Sequence, residues 1–163
     1  MTDRIPGRRV RFTWPDDLDP VWTPRAPELA LAANAVSLLM PHAEPYVVAS
    51  VRAAAAELAT TDPELAASAL AYATQEAQHH GQHRRFNDLV GAHYRGLGGV
   101  ERALGWTFAR LRRRSTRFGL AFASGFETIA FVAARWVDAH QSLLRDADPT
   151  ATTLFLWHLA EEV

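Results

Sequence analysis

Apolar residues recur every three or four positions through almost every long segment of the chain, and no stretch alternates polar with apolar residues for a useful length. That pattern predicts helices and no strands. The first run spans 26–40, with Leu29, Ala33, Val36 and Met40 on one side. Pro41 and Pro45 follow and bracket His42, Ala43 and Glu44. Proline has no N–H and its ring crowds the preceding turn, so a break or kink is expected here before the helix resumes over 46–58. Asp62 and Pro63 supply a cap and a first-turn proline for a helix reaching about Val90. The glycine-rich stretch 91–99 reads as a connection to a shorter helix carrying Val100, Leu104, Thr107 and Leu111. The most apolar helix is expected over 117–140, with Leu120, Ala123, Glu127, Ala130, Phe131 and Ala134 on one stripe. Asp146-Ala147-Asp148-Pro149 is a turn and cap signal opening the last helix.

Polar residues interrupt these stripes at regular places. At ~100° per residue, Leu65, Ala69, Tyr72, Glu76, His79, His83, Phe86 and Val90 share one side of their helix, while Gln75, Gln78 and Gln82 fall elsewhere. A carboxylate buried beside imidazoles is costly unless a cation compensates it. Glu44, Glu127 and Glu162 stand in similar inward positions on three other segments. Either Glu161 or Glu162 can face inward, and the one-turn spacing from His158 favours Glu162.

The prolines Pro6, Pro15, Pro20, Pro24 and Pro27 mark residues 1–25 as an extended arm whose tryptophans, Trp14 and Trp22, dock on the surface of a helical domain at 26–163. The architecture expected is an all-α bundle of four or five helices. A helix still running at Val163, with no glycine to cap it, marks the chain as C-terminally incomplete.

Composition narrows the chemistry. In 163 residues there is no cysteine and no lysine, which excludes disulfides, thiolate metal sites, Schiff-base catalysis and a P-loop lysine. The net charge of −1 argues against nucleic acid, and Arg110, Arg112, Arg113, Arg114 and Arg117, without interleaved aromatics, read as a solvated face. No unbroken run of about eighteen apolar residues and no signal-like start is present, so no membrane span and a cytoplasmic location are expected. Exposed tryptophans and the apolar fourth helix permit a homodimer.

Dinuclear iron or manganese bundles take a carboxylate from each of two helices and a Glu-x-x-His pair from each of the other two. Glu76 and His79 form one such pair. One pair alone is more often a surface contact, but four inward acids in register point to metal. Glu44, Glu76, His79, Glu127 and Glu162 are therefore candidate ligands. His83, one turn beyond His79, is either a partner that orients a ligand or a core histidine. His80 lies at the edge of the stripe, and His42, His93 and His140 lie near expected helix ends, as caps or solvated residues.

The segments Pro41-His42-Ala43-Glu44, Gln75-Glu76-Ala77-Gln78-His79-His80-Gly81-Gln82-His83, Phe126-Glu127 and Trp157-His158-Leu159-Ala160-Glu161-Glu162 resemble a bacterial family of predicted metal-dependent hydrolases in the ferritin-like superfamily. They are similar, more distantly, to di-iron arylamine N-oxygenases acting on p-aminobenzoate. The resemblance implies a ferritin-like four-helix bundle, and a histidine ligand one turn before the last glutamate, matched by His158. It also implies a final histidine two residues past the end of this sequence. The function expected is a dinuclear enzyme, a di-iron oxidase or oxygenase acting on a small organic substrate, with manganese or zinc as alternatives to the two iron ions. A hydrolase using metal-activated water, or a non-catalytic metal-binding or structural bundle, stands as the alternative.

Overall fold

A computed structural model describes residues 10–162 of the chain, so Pro6 and Val163 lie outside the described residues. Five α-helices follow the arm: α1 (Pro27–Leu58), α2 (Pro63–Gly91), α3 (Leu97–Leu111), α4 (Thr116–Ala139) and α5 (Pro149–Glu161), with a short 3-10 turn at Gln141–Leu144 before the last. No strand occurs among the described residues. The protein is an all-α bundle in which α1 pairs with α2 along most of its length, α3 and α4 lean on α1, and α5 closes on α2 and α4.

The expected break at Pro41 and Pro45 does not occur. Helix α1 runs through both prolines for 32 residues, and His42 and Glu44 sit in its middle. Pro41 removes one bond, the one its missing N–H would donate to the Ser37 carbonyl. The Asn87 side chain on α2 donates Nδ2–H to that carbonyl at 2.8 Å, so the lost bond is replaced from outside the helix. The face predicted for 26–40 is also rotated. Val36 is 55% exposed, and the buried side of that segment carries Ala30, Asn34, Ser37 and Met40. Ordinary capping starts the other helices. Asp62 accepts from Leu65 N–H, Ser115 from Phe118 N–H, and Asp148 from both Thr150 and Ala151 N–H. Helix α3 begins earlier than predicted, at Leu97, because Gly96 takes φ +84° and turns the chain directly into it.

The arm is part of the core. Trp22, expected at the surface, is 3% exposed, stacks on Phe155 at 5.0 Å and donates its indole N–H to Asn34 Oδ1 at 3.0 Å. Its carbonyl accepts Asp148 N–H at 2.7 Å, while the Thr23 hydroxyl donates to the Leu143 carbonyl. Leu18 and Trp22 pack with Ala30, Phe86, Val90, Ala151 and Leu154 in one cluster. Leu154 is fully buried there, and its truncation to alanine costs about 2–5 kcal/mol. A second cluster joins Val47, Val48 and Val51 of α1 to Ala73 and Ala123. A polar layer lies in the same interior.

Helix α4 departs furthest from its prediction. Only Gly119, Ala123 and Ala134 are buried, whereas Leu120 and Phe131, placed on the inward stripe, are more than one third exposed. Ile129, Val132 and Trp136 face outward as well. Among the described residues α4 is the one helix long and apolar enough, by length and composition, to cross a membrane. Scattered polar residues interrupt its apolar run without spoiling the average. Arg110 and Arg114 lie over the rings of Trp106 and Phe118, so the basic cluster does carry aromatic neighbours.

Candidate metal centre

The polar layer is assembled from four helices. Glu44 comes from the middle of α1, Glu76 and His79 from α2, Glu127 from α4, and His158, Glu161 and Glu162 from the end of α5. Helical spacing sets the local pairs. Glu76 and His79 are three apart, with Oε1 3.6 Å from Nδ1, and His158 and Glu162 are four apart, with Nε2 3.2 Å from Oε1. Across helices, His158 Nε2 stands 3.6 Å from Glu44 Oε1, and His79 Nδ1 stands 3.9 Å from Glu162 Oε1. Three triplets of donor atoms each fall within 4.8 Å: Glu44 with Glu76 and His79; His79 with His158 and Glu162; and Glu44 with His83 and His158. Glu127 belongs to none of these triplets and faces Glu162 and the Tyr72 hydroxyl.

Burial makes this concentration of acid expensive. Glu44 and Glu76 are 1% and 2% exposed, and both oxygens of Glu44, with Glu127 Oε1, Glu162 Oε1 and His79 Nδ1, have no hydrogen-bond partner. Desolvation pushes the Glu44 carboxyl well up, and the charges of Glu76, Glu162 and Glu127 push it further. Glu76 and Glu162 are raised chiefly by burial. Glu127 is pushed up to about 8, first by burial and then by the facing Glu162. Desolvation acts to lower His79, but its contacts with Glu76 and Glu161 and the charge of Glu162 outweigh that and raise it. His158 is held well below the usual imidazole range by burial and by neighbouring His79. Buried polar atoms without partners are rare, and this set is the chemistry of a cation site: hard carboxylate oxygens and imidazole nitrogens facing one interior volume.

A family model for predicted metal-dependent hydrolases matches residues 6–163. The chain belongs to that family. Comparison with curated proteins and with solved structures found no match. The family's stated metal dependence and the donor triplets agree, and the residues fit a bound metal through their unpartnered oxygens and nitrogens.

Several neighbours of the candidate ligands carry little signal in the sequence. Glu162 faces His158, and Glu161 is buried beside it, its Oε2 meeting His79 Nε2 at 2.9 Å. Positions three and four residues after His158 share its face, and that spacing alone admits both. Tyr72, one turn before Glu76, points its hydroxyl toward Glu127, and burial followed by the surrounding acids raises its pKa. Gln75 and Gln82 are buried although they lie off the predicted stripe; Gln82 Nε2 donates to the Val10 carbonyl of the arm. The other histidines stand apart from the triplets among the described residues. His80 is half-buried and lowered by burial, as is His42, which lies mid-helix rather than at a helix end. His93 is exposed, and His140 caps α4 through Nδ1 to the Trp136 carbonyl.

A half-open cleft of about 500 Å³ separates α4 from α5, lined by Ala134, Val137, Leu156 and Leu159 with Arg135 and Asp138 among the polar residues. None of the candidate ligands lines it, but Leu159 and Ala160 do, between His158 and Glu161 in sequence.

Proposed function

We propose that this protein is a dinuclear metal-dependent enzyme, a non-haem di-iron oxidase or oxygenase acting on a small organic substrate. The observation that carries the reading is the set of buried Glu44, Glu127 and Glu162 oxygens, contributed by three helices, that no hydrogen bond satisfies. Glu44, Glu76 and His79 would hold one cation, and His158 with Glu162 and Glu127 the other, Glu44 Oε1 also lying 3.6 Å from His158 Nε2. Carboxylate-rich ligation favours iron because hard oxygen donors stabilise its higher oxidation state. Bound iron would supply dioxygen reduction coupled to oxidation of the substrate.

The chain's own residues do the rest. Glu161 holds His79 by its Nε2 side, leaving Nδ1 directed at Glu76 and Glu162. Burial keeps the proton on the Tyr72 phenol, which lies beside Glu127 without a hydrogen-bond partner of its own. Phe12 and Trp14 of the arm, with Trp157, cover the α2–α5 side with hydrocarbon and keep water from the donors. The apolar cleft between α4 and α5 is the space available to a small organic molecule beside the helix that carries three of the site residues.

The family description favours a second reading, hydrolysis by a metal-activated water. Purification without chelator followed by elemental analysis tests the shared premise, with about two equivalents of iron or manganese expected per chain. Anaerobic ferrous protein exposed to air then separates the two. A new visible charge-transfer band with oxygen uptake supports the oxidase; a colourless protein that cleaves activated esters with zinc supports the hydrolase. Negligible metal in both preparations would falsify the metal centre.

A further inference from the structure

Four buried or half-buried side chains form a single file from α1 to α5 in which each hydrogen has one place to be. Asn87 Nδ2 lies 2.8 Å from the Ser37 carbonyl, which has only lone pairs, so the amide nitrogen must be the atom facing it. The amide oxygen therefore faces the Ser37 hydroxyl at 2.6 Å and can only accept. A serine hydroxyl has one hydrogen, and here Asn87 takes it. Ser37 Oγ must then accept from His83 Nδ1, 2.8 Å away, which places the His83 proton on Nδ1. His83 Nε2, left with its lone pair, lies 2.7 Å from His158 Nδ1 and accepts the proton carried there. His158 Nε2 is left bare, 3.2 Å from Glu162 Oε1 and 3.6 Å from Glu44 Oε1.

We infer that Ser37, Asn87 and His83 are positioning residues that fix His158 in the tautomer whose Nε2 binds metal, and that His83 is not itself a ligand. The inference rests on the metal-centre reading only for its last link. The geometry between the two imidazoles supports it. Nitrogens bound to one ion at about 2.0–2.1 Å each stand about 2.8–3.4 Å apart between right-angle and tetrahedral arrangements, whereas 2.7 Å is the separation of a shared proton. The file starts at a proline. Because Pro41 cannot donate to the Ser37 carbonyl, that oxygen is open to Asn87, and the orientation of one amide is passed through three more side chains to the site.

The file can be reversed by removing its first acceptor. In Asn87→Leu the Ser37 hydroxyl is released to donate to His83 Nδ1, which moves the His83 proton to Nε2 and obliges His158 to accept on Nδ1, leaving a proton on His158 Nε2. In Asn87→Asp, with the carboxyl protonated on the oxygen that faces the Ser37 carbonyl, the other oxygen still accepts from Ser37 and the wild-type order persists. Long-range 1H–15N spectra of histidine-labelled, metal-free protein read the protonated nitrogen directly. Nδ1–H at both histidines in wild type and in Asn87→Asp, with Nε2–H at both in Asn87→Leu, is the expected result. Nε2–H at His83 in the wild type, or no change in Asn87→Leu, overturns the inference. Cobalt(II) titration of the same proteins gives a second readout. Asn87→Leu and His83→Phe should bind the ion in the His158 group about 10–100-fold more weakly, and His83→Gln, whose amide oxygen can accept from His158, should recover part of the loss. Equal affinity in His83→Phe and wild type also overturns it. A wild type with the expected tautomers that binds no cobalt would leave the file in place and remove the metal centre instead.

Discussion

His79 Nε2 lies 2.9 Å from Glu161 Oε2, and neither side chain meets solvent. With Glu161 accepting from Nε2–H, Nδ1 is the nitrogen directed toward Glu76 and Glu162. Carboxylate contacts of this kind orient metal-binding histidines and raise their basicity. Glu161→Ala should therefore weaken metal binding about 10–100-fold, with Glu161→Gln recovering part of it through its amide oxygen. Titration with manganese(II) under anaerobic conditions measures both, and an unchanged affinity in Glu161→Ala would remove Glu161 from the site.

Glu44 should distinguish metal from a polar core. Both its oxygens lack partners, so in metal-free protein it is a buried acid crowded by Glu76, Glu162 and Glu127. Replacing it with glutamine removes that crowding and should leave the metal-free melting temperature equal or higher. The same variant should lose most of the stabilisation that added metal gives the wild type. Differential scanning calorimetry with and without chelator reads both effects. A Glu44→Gln protein that gains as much from metal as the wild type would count against the ligand role.

Proton linkage sets a direction for metal-free protein. Glu127 is held near 8 in the fold against an ordinary 4.5, so between those values the folded chain keeps a proton that the unfolded chain has released. Stability then falls as pH rises through that window, and raised His79 adds the same sign above 6.5. His83 and His158, held low by burial, act oppositely only below about 6.5, where the unfolded chain takes up protons they refuse. The melting temperature in chelator should drop from pH ~6.5 to ~8, by about 2–4 °C for each kcal/mol lost. Saturating metal, which binds the deprotonated donors, should flatten or reverse the slope. A metal-free melting temperature that climbs over this interval contradicts the assignment.

Two glycines of α4 should respond in opposite ways. A methyl group on Gly119 would run into Ser50 Oγ and lie 2.9 Å from Ser50 Cβ, where α4 meets α1. Gly119→Ala should cost about 1–3 kcal/mol through that overlap. Gly125 has open space around its would-be Cβ, and Gly125→Ala should stabilise the helix by about 0.5–1 kcal/mol. Urea unfolding of the two variants decides this, and equal shifts would mean that α4 does not approach α1 through Gly119.

Two helix starts were legible because their caps are local chemistry: Asp62 and Asp148 each announce a start that the chain obeys. The acids were legible because a charge on an apolar stripe contradicts its surroundings. What local reading missed depends on other elements. Pro41 predicted a broken helix because the donor that replaces its N–H, Asn87, is 46 residues away. Trp22 was assigned to the surface because its neighbours are polar and proline-rich, yet Phe155 and Asn34 bury it. The inward stripe of α4 failed at Leu120 and Phe131 because periodicity gives a helix two sides without saying which of them is covered. Ser37 and Asn87 gave no sign at all, since a serine and an asparagine become part of the site only through the imidazole between them and His158.

The bond from Asp148 N–H to the Trp22 carbonyl fixes the start of α5, and His158 lies ten residues further on. At 1.5 Å per residue the intervening helix is a lever about 15 Å long. A tilt of about 5° at its fulcrum would swing His158 by about 1.3 Å, well beyond the ~0.2 Å within which metal–ligand distances are held. The alignment of the donor-bearing end of α5 is thus trimmed from the opposite end, by the backbone of the arm at Trp22.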